Sequence, residues 1–210
     1  IFSKVEKKAV YSGEYKDAQV ITPEKESRLY AQSRGIQMTA SEVYCDGFSV
    51  YVTMQMQAEQ YEFSKEQNRI CVRAQYGFDG EISEGDSDIL IDGKVENAHT
   101  FIGMMKFDRS DVIHKDGTLR VRVLTIYQED QGVSGEWEFE IPYKVYNEES
   151  KEIAVNQKLS RDLTIKRVFI SPYQIVVFTK ESGNIHSQIA LFDQNGKKIS
   201  FEEIGEGDGQ

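Results

Sequence analysis

The chain has 210 residues, 39% of them hydrophobic, with 11 Tyr, 11 Phe and one Trp; this is enough apolar material for packed cores and excludes a wholly disordered chain. Its formal charge of -10 excludes phosphate-backbone binding to nucleic acid, which draws on clustered Lys and Arg that no segment supplies. No run of 18 apolar residues exists to cross a bilayer as a helix, and the length favours two domains.

Residues 1–34 are charge-rich and without sustained periodicity, as in Lys4-Val5-Glu6-Lys7-Lys8 and Pro23-Glu24-Lys25-Glu26-Ser27. They read as a lead-in holding at most a short helix or strand. The first residue is Ile1, which is compatible with an export signal or anchor helix upstream.

A first domain is expected over residues 35–147. Met38 and Ala40 alternate with polar Thr39 and Ser41; the parity then switches, and Val43 and Cys45 carry the apolar face to Asp46-Gly47. A parity switch inside one strand predicts a β-bulge near Ser41-Glu42. After the turn, Phe48, Val50, Val52, Met54 and Met56 alternate with Ser49, Tyr51, Thr53, Gln55 and Gln57, completing a hairpin. Further strands are predicted over 69–76, 89–91, 101–107, 119–127 and 136–145, with Asp92-Gly93 as a hairpin turn. Trp137, Phe139 and Ile141 point one way and Glu136, Glu138 and Glu140 the other, so the single Trp is expected in the core. Pro142 suits an edge or a strand end.

Asn147-Glu148-Glu149-Ser150 reads as a linker to a second domain over residues 148–210. There the hairpin recurs: Leu163, Ile165, Val168, Ile170, Tyr173, Ile175 and Val177 each lie 125 positions after Met38, Ala40, Val43, Cys45, Phe48, Val50 and Val52. The parity switch recurs with them, and Ser171-Pro172 takes the place of Asp46-Gly47. Ile36 has no apolar counterpart at Arg161. A strand to Phe192, a turn at Asn195-Gly196 and a strand over 199–201 follow. The fold class expected is all-β, two tandem immunoglobulin-like sandwiches, the second small or incomplete at roughly 60 residues. It would borrow a strand from the first 33 residues or continue past residue 210.

Chemistry is sparse. His99, His114 and His186 fall in three separate segments with no partner at metal or triad spacing. No glycine-rich strand-to-helix loop and no nucleophile elbow occur. Asp79, Glu81, Glu84, Asp86 and Asp88 are dense around Gly80 and Gly85 but lack the ordered spacing of an EF-hand, so they read as a solvated loop. Cys45 and Cys71 are read as buried free thiols, with a disulfide as the alternative if their strands are neighbours. No catalytic, cofactor-binding or metal-binding residue is assigned, and no cofactor is expected.

The order of Gly35-Ile36 through Asp46-Gly47, then Gly135-Glu136-Trp137-Glu138-Phe139, then Ile170-Ser171-Pro172 resembles an uncharacterised family of Gram-positive bacterial proteins, membrane-anchored and anti-sigma-factor-like. The likeness covers residues 34 to 200. It implies immunoglobulin-like extracytoplasmic domains that follow a short cytoplasmic segment and one transmembrane helix lying outside this chain. The implied role is a non-catalytic sensing or interaction ectodomain whose partner is a protein or a cell-envelope ligand. Two other roles are open: a carbohydrate or surface-polymer binding module, using Tyr44, Tyr51, Tyr127, Tyr143 and Tyr146 as stacking platforms, and a passive adhesin or spacer.

Overall fold

A computed structural model of the chain describes residues 19–20, 29–65, 68–129, 131–146, 148–161, 163–181, 191–192 and 195–199. Every regular element among them is a β-strand, so the all-β reading holds. These residues divide into two compact units, 19–109 with 113–146, and 148–199 with 110–112.

The larger unit contains β1 (Gln19–Val20), β2 (Tyr30–Ser33), β3 (Ile36–Cys45), β4 (Ser49–Ala58), β5 (Arg69–Phe78), β6 (Ser87–Asn97), β7 (Thr100–Asp108), β8 (Gly117–Gln128) and β9 (Gln131–Tyr143). All pair antiparallel in one sheet of order β1-β3-β4-β7-β6-β5-β8-β9, with β2 also on β3. β1 and β2 lie within the segment read as lead-in; β2 is too short and polar for its periodicity to show.

The two ends of this sheet meet. At one end of the seam the Trp137 indole Nε1 donates to Ile36 O at 2.8 Å and the Glu136 amide to the Ser33 hydroxyl. At the other end Cys45 bridges Val145 in parallel and the Tyr146 amide donates to Cys45 O at 2.9 Å. Gly135 makes the closure possible, because a Cβ there would stand 2.5 Å from the Trp137 ring and 2.8 Å from Ser33 Oγ. Each of the two expected sandwiches required separately bonded sheets packed face to face; in the larger unit the bonding runs as a single wrapped, nearly closed sheet.

The inside of this wrap is solid. Ile36, Met38, Ala40, Val43, Cys45, Val50, Val52, Met54 and Met56 of the hairpin are all at most 1% exposed, and Trp137, Phe101, Ile91, Val72 and Leu119 are fully buried with them. Inward and outward positions alternate along each strand as pleating requires. The Asp92-Gly93 turn is corrected: both residues lie inside β6, pairing Met104 and Gly103 on β7, and the turn follows Asn97. Gly93 serves close packing, since a Cβ there would stand 2.3 Å from Ile102 O and 2.4 Å from the tip of Phe101.

The smaller unit holds β10 (Lys151–Lys158), β11 (Leu163–Ile170) and β12 (Ile175–Glu181) in one antiparallel sheet, and a short pair of β13 (Leu191–Phe192) with β14 (Lys198–Ile199) around Asn195-Gly196. Its β11–β12 hairpin repeats β3–β4 register for register. Ala40 pairs Met54 and Glu42 pairs Thr53, leaving Ser41 as the extra residue; Ile165 pairs Thr179 and Arg167 pairs Phe178, leaving Lys166. All these positions correspond at an offset of 125.

The turns correspond as well. Asp46 N donates to Ser49 O, and Ser171 N to Gln174 O. The Asp46 carboxylate accepts from the amides of Phe48 and Ser49, and the Ser171 hydroxyl from those of Tyr173 and Gln174. Both are side-chain-capped turns of the kind Asp and Ser favour.

Candidate functional site

The strands of the larger unit alternate in direction, so its loops gather at two ends. One end collects the turn at Asp46-Gly47, the 79–86 strap after β5, Arg109 after β7, Asp116 before β8 and Tyr143 at the end of β9. Polar and charged side chains meet here, delivered by the ends of the strands.

Asp46 and Ser49 are fully buried. The Ser49 hydroxyl donates to Asp108 Oδ1, whose carboxylate also pairs with Lys106 Nζ at 2.9 Å. Asp116 accepts from the Val145 amide at 2.9 Å. Arg109 lies 5.6 Å over the Phe78 ring and reaches Asp79 Oδ2 at 3.3 Å. The acidic residues read as a solvated loop lie in or beside the strap: Asp86 accepts from Gln75, Asp88 pairs with Arg73, and Glu81 and Glu84 are exposed. Among the described residues no group of three or more His, Cys, Asp or Glu is placed to hold a metal ion.

One thiol and one phenol at this end are pushed toward their protonated forms. Burial raises the Cys45 thiol from its ordinary 9.0 to about 12, with the Asp46 and Asp116 charges adding to it against a hydrogen bond from Gly47. Burial likewise raises the Tyr143 phenol to about 12, with Asp79 the next contributor. A catalytic thiol or phenol needs the opposite shift, toward the anion.

Both cysteines are free, Cys45 buried and Cys71 half-buried. His99 sits at the opposite end, its Nδ1 3.0 Å from Tyr61 O; His114 is exposed, and His186 lies outside the described residues. Of the five tyrosines considered as platforms, Tyr44, Tyr51 and Tyr143 are buried and Tyr127 and Tyr146 half-buried. Tyr44 stacks on Tyr146 at 5.8 Å and 7° and leans on Tyr51, so these rings pack on one another.

Sequence reasoning missed Arg109 and the pairing of Asp79 with it. The only sequence signal was Asp79-Gly80 after Phe78, a turn dipeptide, and nothing local ties it to a residue thirty positions away.

No protein-family model and no curated protein matches this sequence. Among solved structures, a conserved domain protein from Bacillus anthracis matches over 83% of this chain with a TM-score of 0.56 and 15% identity. The match spans 58% of that protein's length. At this identity the likeness concerns the fold alone.

Proposed function

We propose that the chain is a non-catalytic sensing or interaction ectodomain, extracytoplasmic, belonging to a regulator anchored by a helix upstream of this segment, with a protein or cell-envelope ligand as its partner. The observation that carries the non-catalytic part is the state of this loop end of the larger unit. The carboxylates of Asp46, Asp79, Asp108 and Asp116 are tied to neighbouring amides, hydroxyls or cations, and the Cys45 thiol and Tyr143 phenol are held protonated. With the interior filled by side chains, outer surface and loops are what a partner can meet. The extracytoplasmic and regulatory parts rest on the sequence resemblance. A wrapped sheet displaying loops at two ends would serve as an immunoglobulin-like domain does; the immunoglobulin-like assignment itself would need a break in the pairing path between two stacked sheets.

The carbohydrate reading needs exposed rings in a row, and burial of Tyr44, Tyr51 and Tyr143 takes away most of the candidates. Two measurements test the proposal. Purified protein is expected to show no turnover on a broad hydrolase panel, and turnover would overturn the non-catalytic reading. Membrane-impermeant biotinylation of intact cells making the natural protein is expected to label lysines of this segment; labelling only after lysis would overturn the location.

A further inference from the structure

Tyr143 ends β9 with a side chain 2% exposed, and its hydroxyl has no hydrogen-bond partner among the described residues. The ring is fixed by an edge-on contact with Phe78 at 6.2 Å. The hydroxyl points over Gly117, the first residue of β8. A Cβ on Gly117 would stand 2.6 Å from the Tyr143 hydroxyl and 2.6 Å from Asp79 Oδ1. The two oxygens are therefore at most 5.2 Å apart, both crowding a spot that only glycine leaves clear.

Asp79 is half-exposed and held on its other oxygen, Oδ2, by Arg109 at a long 3.3 Å. It has a positive φ of 59°, followed by Gly80 at 98°, and nothing lies within 4 Å of a Cβ position on Gly80. The strap is thus pinned by backbone bonds on either side, Asp79 N to Thr118 O and Ser83 N to Tyr76 O, with open space at its corner. A hydroxyl-to-carboxylate bond spans about 2.5–2.7 Å. A displacement of at most about 2.7 Å, within the swing of an Asp side chain at a left-handed corner, covers the remaining gap.

We propose that the 78–83 strap is a latch with a closed position, in which Asp79 Oδ1 accepts the hydrogen bond of the buried Tyr143 hydroxyl while Oδ2 keeps Arg109. In the closed position the strap is locked to the end of β9 as well as to β8, and the loops at this end are presented in one arrangement. In the open position the strap is held by its backbone bonds, by the Arg120 guanidinium donating to Gly80 O and by the solvent-facing Arg109 pair. Gly117 is the enabling residue, because a Cβ there would collide with both donor and acceptor. The latch goes beyond the proposed interaction role and does not depend on it.

Amide hydrogen exchange of the whole chain tests it, read as the rate for the Asp79 and Ser83 amides relative to amides inside β8 and β9. Tyr143→Phe keeps the ring and removes only the donor. It is expected to raise that ratio about tenfold, the size of effect a charge-assisted hydrogen bond carries. Asp79→Ala is expected to raise it at least as much, and the double variant no further than Asp79→Ala alone, because both remove one bond. A slowly exchanging Tyr143 hydroxyl proton in the NMR spectrum, lost in Asp79→Ala, is the direct signature. A ratio unchanged in Tyr143→Phe overturns the latch, as does a double variant in which the two effects multiply. Uniform acceleration of strap and strands alike leaves the ratio unchanged and counts against it equally.

Discussion

The same hairpin occurs twice in this molecule and is sealed in only one of its two settings. In the larger unit Val43, Cys45, Val50 and Val52 are at most 1% exposed; their counterparts Val168, Ile170 and Val177 are half-buried, and Ile175 is 40% exposed. Register, bulge and turn are nevertheless the same. Backbone geometry is thus specified by the local pattern, two apolar runs of opposite parity around a capped turn. Depth of burial is specified by what the rest of the unit wraps around it. A nine-stranded sheet closes over the first copy; β10, exposed along nearly its whole length, flanks the second.

The largest effect expected from breaking this contrast is at the closure itself. Trp137→Ala removes the biggest buried side chain and leaves Ile36 O without its indole donor, and should cost about 3–5 kcal/mol in urea unfolding. A loss under about 1 kcal/mol would mean that the seam does not hold the wrap. Next comes the matched pair: Val50→Ala should cost about 2 kcal/mol, whereas Ile175→Ala, which deletes more atoms, should cost about 0.5 kcal/mol. Equal losses at the two positions would erase the contrast.

The remaining contrast, slightly smaller than the gap of about 1.5 kcal/mol between the matched variants, is electrostatic. Because the folded Cys45 thiol is raised from 9.0 to about 12, its contribution is complete below pH 9 and is lost as pH rises toward 12. Unfolding free energy should therefore fall by about 1.4 kcal/mol between pH 8 and pH 10 on its account. Cys45→Ala should remove that part of the slope. The counterpart residue, Ile170, has nothing to titrate, so Ile170→Ala should leave the slope intact.

Much of the backbone was legible in the sequence. Alternation with a parity switch located both bulges, Asp46-Gly47 and Ser171-Pro172 located both turns, and the phase of Trp137, Phe139 and Ile141 placed the indole inside. The errors share a cause. Asp92-Gly93 carries the composition of a turn, but Gly93 is there because Phe101 lies across it, a contact between strands that no window of sequence contains. β10 and β2 were missed because strands with mostly solvent-facing side chains have no apolar period to detect. The wrapping of one sheet, the Arg109 to Asp79 pair and the unpartnered Tyr143 hydroxyl all depend on long-range closure, to which local patterning is blind.

The matching bulges also bear on how such a chain can change over time. Side chains at corresponding positions have drifted as far as Met54 and Thr179, yet the extra residue stands at Ser41 in one hairpin and Lys166 in the other. Substitution leaves the residue count untouched, whereas deleting Ser41 would set Ala40, Glu42 and Val43 in one regular ladder against Met54, Thr53 and Val52, with every face kept and the bulge gone. The extra residue is therefore a length mark that both hairpins carry: their chemistry differs from position to position, and their residue count does not.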